Sequence, residues 1–192
     1  MRSLRVLIAD DESIRLLSLG GQLAGLGHQV VAEATRGDEA VLLAEKHLPD
    51  LAILDIKMPV MDGIEAAERI TAARPIPIIL LTAYNETQLV ERAARANISA
   101  YLMKPVAEDD LHPAIALALA RFREFESLRR EVADLRDALE ARKVVEKAKG
   151  ILMRRLDLSE EDAFKRLQKQ SQDTNRRLAE VAEAIVLADK MF

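Results

Sequence analysis

The chain has 192 residues, of which 49% are hydrophobic and 31% charged, with 7 Gly and 6 Pro; this is the balance of a folded protein and excludes a wholly disordered, low-complexity or collagen-like chain. The length suits one domain of about 120 residues plus a smaller module, and a sequence with no Cys and three His offers no disulfide framework, no thiolate metal site and no cysteine nucleophile. The net charge of -4 divides unevenly, with 11 basic and 17 acidic side chains in residues 1–120 but 17 and 15 in residues 121–192, so an acidic module precedes one able to meet phosphates.

The opening stretch MRSLRVLIADDES turns acidic too early for a secretory signal, and no apolar run nears the roughly 18 residues that cross a bilayer. A cytoplasmic protein with no membrane partner is expected. Apolar runs of strand length follow at 4–9, 30–34, 51–54, 76–81 and 100–103, and helical periodicity lies between and after them at 13–26, 37–47, 63–73, 86–96 and 108–121. This (βα)5 order predicts an α/β doubly wound fold, a parallel sheet covered on both faces. Gly20 and Gly21 interrupt the first helical pattern at a cost on the order of 1 kcal/mol each relative to Ala.

In such a sheet the functional crevice lies at the carboxyl ends of the strands. Those ends carry Asp10 and Asp11, Asp55, Thr82, and Lys104-Pro105. Three converging carboxylates repel one another without a cation, and hard oxygen ligands with room for water suit Mg2+. That charge and the Lys104 ammonium would neutralise a phosphoryl group arriving on Asp55, with Thr82 donating to one of its oxygens. Taken singly, Asp10 and Asp11 could instead be acids favoured by a helix N-terminus, and Lys104 a surface lysine. Asp55, ending an apolar strand, would be desolvated without compensation unless it had a partner.

On these residues, 1–121 resembles the receiver domain of two-component response regulators: the acidic pair Asp10 and Asp11, Asp55 within DIKMPVMDG, Thr82-Ala83 and Lys104-Pro105 all match. The resemblance implies that Asp55 is the phosphoacceptor, that the Lys57 backbone carbonyl joins Asp10, Asp11 and Asp55 around Mg2+, that Thr82 and Tyr101 form a switch, that the Lys104-Pro105 bond is cis, and that a cognate histidine kinase is the phosphodonor. Tyr101 serves equally well as plain packing.

From Phe125 the apolar residues recur at Leu128, Val132, Leu135 and Leu139, a heptad seam with Phe125, Val132 and Leu139 at a and Leu128 and Leu135 at d. Glu124 and Glu131 then fall at g, Arg129 and Arg136 at e, so a parallel homodimer through a coiled coil at 122–140 would pair opposite charges. A lone amphipathic helix packed on its own domain would carry the same pattern.

Three helical patterns complete the chain at 136–156, which continues the linker, 159–171 and 176–187, a small all-α module at 141–192, with Ser159 placed as an N-cap, Asp173-Thr174-Asn175 as a turn or cap before the last helix, and Ala163, Leu167, Leu178, Val181 and Ile185 as its core. Arg142, Lys143, Lys147, Lys149, Arg154 and Arg155 make its first helix basic. A charge run of this kind is often no more than a solvated face. Residues 139–182, with the string AKGILM from Ala148, Ser159-Glu160, Ala163-Phe164, Leu167, Asn175-Arg176 and Glu180-Val181-Ala182, resemble an ANTAR domain. The resemblance implies binding of paired stem-loops in nascent leader RNA and transcription antitermination, with Arg142, Lys143, Lys147, Lys149, Arg154, Arg176 and Arg177 as RNA ligands. Gln168 and Gln172 depart from the Arg and Met common in that family. A DNA-binding regulator with a helix-turn-helix output is disfavoured because the last helix reads LAEVAEAIVLADK, apolar and acidic where base-reading side chains would be needed. A phosphatase with Asp55 as nucleophile would share the carboxylate logic, but no other catalytic constellation accompanies it, and the chain is not expected to be an enzyme.

Overall fold

Five parallel strands, β1 (Arg5–Ala9), β2 (Gln29–Ala34), β3 (Leu51–Asp55), β4 (Ile78–Thr82) and β5 (Ala100–Met103), form one sheet in the order β2-β1-β3-β4-β5. The computed structural model describes residues 2–83 and 98–189, so the helical pattern at 86–96 lies outside the described residues. Helices α1 (Ser13–Gly25), α2 (Gly37–His47) and α3 (Gly63–Ala73) alternate with the first strands, and α4 (Glu108–Leu156), α5 (Glu160–Thr174) and α6 (Leu178–Asp189) follow β5. The chain divides into two units, Met1–Glu126 and Ser127–Phe192.

Along β1 every residue from Val6 to Ala9 is fully buried. Leu7 and Ala9 face a core that includes Ala40 and Ala44 of α2 and Ile64 and Ala67 of α3, whereas Val6 and Ile8 face Leu16, Leu19 and Leu23 of α1 and Leu111 and Ile115 of α4. The period-2 alternation thus feeds two apolar faces, which is why the strands read as unbroken apolar runs. β4 begins two residues later than its apolar run because Pro77 has no N–H; its carbonyl accepts from Ala52 N at 3.1 Å instead. α1 ends in a Schellman arrangement, with His28 N donating to Leu23 O, Gly27 N donating to Ala24 O, and Gly27 at φ 81°. Gly20 and Gly21 have no such duty: an added Cβ meets ordinary contacts or nothing.

Two boundaries differ from the sequence expectation. No helix ends near Arg121; residues 108–156 form one helix of 49 residues, in which 136–156 continues the linker as the sequence predicts. Between Pro113 and Gly150 there is no Gly or Pro, only a run dominated by Ala, Leu, Arg, Glu and Lys, so nothing stops the helix. The last helix starts at Leu178, not Arg176, because Asn175 turns left-handed at φ 51° while Arg176 N donates to Ser171 O and Asn175 N to Gln172 O. Ser159 caps α5 as its sequence predicts, accepting from Asp162 N at 3.1 Å. The second unit's core comprises Ala148, Leu167, Val181 and Ala182, with Val144, Leu152, Leu178 and Ile185 packed against it.

Candidate functional site

The sheet order changes direction beside β1, and the crevice at that point lies outside the ends of β1 and β3. Asp10 follows β1 and Asp55 ends β3; carboxylate oxygens of Asp10, Asp11 and Asp55 all lie within 4.8 Å of one another. Lys104, just past β5, places its Nζ 2.8 Å from Asp10 Oδ2 and 2.7 Å from Asp55 Oδ2. The Lys104-Pro105 bond is cis. Asp10 and Asp55 are buried and Asp11 is exposed, so the cluster opens to solvent on one side. There Asp11 lines a shallow cleft with Lys57, Met58, Pro59 and Asp62. Thr82 closes β4, its Oγ1 donating to Ala83 O at 3.2 Å. Tyr101 stands on the edge strand β5, paired across to Leu80 and partly exposed.

Burial raises the Asp55 pKa above the ordinary carboxylate value; hydrogen bonding and charge from Lys104 oppose the rise, and Asp10 adds to it. The Lys57 backbone N–H also favours the ionised form by donating to Asp55. Two residues that the sequence pattern did not single out complete the electrostatics. Arg15 on α1 reaches Asp10 Oδ1 at 3.4 Å and Glu12 Oε1 at 2.7 Å. Four carboxylates (Asp10, Asp11, Glu12, Asp55) therefore face two cations (Arg15, Lys104), an excess of negative charge that one divalent ion would balance.

The spacing within DIKMPVMDG has a packing reason. Asp62 caps α3 by accepting from Glu65 N at 2.8 Å, and Gly63 N donates to Ile56 O at 2.9 Å. A Cβ on Gly63 would collide with the Asp55 carbonyl, so only glycine lets the first turn of α3 press against the strand end that carries Asp55. Val60, at φ 70° with 78% exposure, is a β-branched residue in the left-handed region, a local strain in the loop next to Asp55.

In the second unit the expected RNA ligands separate into distinct environments. Arg142, Lys143, Lys147 and Arg154 are exposed on α4. Lys149 is only 8% exposed, and its Nζ lies 2.7 Å from Glu160 Oε1, 2.9 Å from Glu146 Oε2 and 6.0 Å from the centre of the Phe164 ring. Those two carboxylates hold its pKa above the ordinary lysine value. Its charge joins α4 to α5, an environment unlike that of the exposed cations. Arg176 and Arg177 sit in the exposed turn before α6, with Arg176 Nε 3.8 Å from Glu180 Oε2. Arg155 is paired with Asp189 at 2.6 Å.

Residues 6–116 match the response regulator receiver domain, and residues 133–186 match the ANTAR domain. The chain is 48% identical over 182 residues to the transcriptional regulatory protein PdtaR of Mycobacterium tuberculosis, covering 95% of this chain and 89% of that protein. Among solved structures it is similar to the signal receiver domain of a modulated diguanylate cyclase from Desulfovibrio desulfuricans G20, at 37% identity and a TM-score of 0.59 over 63% of this chain and 97% of that one. A CheY-like receiver domain protein from Methanospirillum hungatei JF-1 aligns at 32% identity and a TM-score of 0.59, covering 64% of this chain and 98% of that one.

Proposed function

The chain belongs to the response regulators that join a receiver domain to an ANTAR domain, and from that premise we propose that it takes a phosphoryl group on Asp55 and in response binds paired stem-loops in nascent leader RNA, promoting transcription antitermination. The observation that carries the first half is the meeting of Asp10, Asp11, Asp55 and Lys104 at adjacent strand ends. A histidine kinase is the phosphodonor: the P–N bond of its phosphohistidine breaks as an Asp55 oxygen bonds to phosphorus. Lys104 Nζ, already 2.7 Å from Asp55 Oδ2, screens the charge that accumulates there. Thr82 turns its hydroxyl from Ala83 O to a phosphoryl oxygen, and Tyr101 on the neighbouring strand responds to that movement.

The three carboxylates fit Mg2+ by their chemistry, all hard oxygen donors with one side open to water. Asp10, Asp11, Asp55 and the Lys57 carbonyl would hold it, and when bound it would supply charge neutralisation. Both matched families are regulatory domains, and among the described residues no helix is long and apolar enough to cross a membrane.

For the second half, the receiver occupies 1–121, the coiled coil 122–140 and the RNA-binding module 141–192. The seam residues support a homodimer: Phe125, Leu128, Val132, Leu135 and Leu139 are 39 to 64% exposed along one helix face, an apolar stripe that a second copy could cover. Two linked arms would hold two stem-loops at a raised effective concentration. RNA contacts come from Arg142, Lys143, Lys147, Arg154, Arg176 and Arg177; Lys149 is left out because its ammonium is already paired. The test is a selection by the full chain from a pool of RNAs carrying two tandem stem-loops with randomised loops, run beside a duplex DNA pool of equal length. Enrichment of RNA, with affinity falling by a log-log salt slope of about -0.7 to -0.9 per phosphate neutralised, is expected; enrichment of DNA alone would make the chain a DNA-binding regulator.

A further inference from the structure

Gly150 stands inside α4, where glycine weakens a helix relative to alanine. The fold does not ask for it. A Cβ there meets only Arg154 Nη1, at 3.7 Å, an ordinary contact with the tip of a flexible side chain. Gly37 and Gly63 are the contrast, since a Cβ on either would strike a backbone carbonyl.

At 3.6 residues per turn, Lys143, Lys147, Gly150 and Arg154 fall within roughly 60° of the helix circumference and about 16 Å of its length. The three basic residues are exposed. Among the described residues neither Lys147 nor Arg154 has an ion-pair partner, and Lys143 is held only by the exposed Glu140 at 2.7 Å. Lys149, which belongs to a different face, is committed to Glu146 and Glu160. The stripe is thus a row of exposed cations in which Gly150 leaves one position between Lys147 and Arg154 with no side chain of its own over the helix backbone.

Resting on the RNA-binding reading above, we propose that Gly150 is the point of closest approach of the RNA sugar-phosphate backbone to α4, with Lys147 and Arg154 gripping phosphates on either side. A phosphodiester chain has the charge to meet both cations and is slim enough to lie in a gap one side chain wide; any Cβ at position 150 would hold it off the helix.

The test uses the full chain, the RNA enriched in the selection described above, and the variants Gly150→Ala and Gly150→Leu. Gly150→Ala should melt at a higher temperature than the wild type, since alanine is the better helix former and its Cβ meets no obstacle within the fold. Both variants should nevertheless bind the RNA more weakly, Gly150→Ala by roughly tenfold, the loss of one charge-assisted contact, and Gly150→Leu by more. Lys147→Ala should flatten the salt slope by about 0.7 to 0.9. Full RNA affinity in both glycine variants would overturn the inference and leave the RNA reading standing, as would a lowered melting temperature of Gly150→Ala, which would assign the glycine to the fold. A wild-type chain that enriches no RNA removes that reading and this inference with it.

Discussion

Asp55 is held in tension between burial, which favours its neutral form, and Lys104 at 2.7 Å, which favours the ionised one; burial wins. Asp55 therefore carries a pKa raised above the ordinary carboxylate value, and two results should follow if it is the proposed phosphoacceptor. Labelling by acetyl phosphate, which needs the carboxylate, should require Mg2+ and disappear in Asp55→Asn. The second result concerns stability. A carboxyl whose folded pKa is raised contributes stability that is complete below the unfolded pKa and is lost as pH rises through the folded one. Asp55→Asn should accordingly melt above the wild type at neutral pH, with the gap closing toward acid, as read by thermal denaturation across pH 3 to 8. Undiminished labelling of Asp55→Asn would remove Asp55 from the role. At this scale the sequence disclosed the charged residues but not their occupation. The strand ends marked Asp10, Asp55 and Lys104, whereas Arg15 lacked a strand-end position and Lys149 read as one more cation in a basic run, its commitment to Glu160 being set by how α5 folds back on α4.

Helix α4 carries three successive tasks along one element: Leu111 and Ile115 pack the receiver core, Phe125 to Leu139 present the seam, and Val144 and Ala148 enter the second core. The continuation of the linker into 136–156 was legible, but the passage through Arg121 was not, because apolar periodicity changes register where the partner surface changes, which mimics a boundary, while the absence of any breaker between Pro113 and Gly150 is the signal that it is one helix. If the seam makes a parallel dimer, Glu131 faces Arg136 of the partner chain. Glu131→Arg and Arg136→Glu should each weaken association and together restore it, by about 0.2 to 1 kcal/mol per pair, measured by sedimentation near the dissociation constant. A double variant as weak as its parents would contradict the parallel register. Leu128→Lys with Leu135→Lys should give a monomer whose receiver still labels.

For the whole molecule, the parallel sheet was legible because strands buried on both faces must be apolar throughout, as Val6 to Ala9 are. The turn at Asp173-Thr174-Asn175 was legible too, but its extension through Arg176 and Arg177 was not, since the bonds that the left-handed Asn175 sets up leave only a weak compositional trace. The proposed function joins the two units by coupling phosphorylation of Asp55 to RNA affinity, and one measurement addresses it directly: the affinity of the full chain for its selected two-stem-loop RNA, with and without acetyl phosphate and Mg2+, for the wild type and Asp55→Asn. The phosphodonor should tighten binding by the wild type and leave Asp55→Asn unchanged, whereas equal affinity in all four conditions, or a response that survives Asp55→Asn, would contradict phosphorylation at Asp55 as the control of RNA binding.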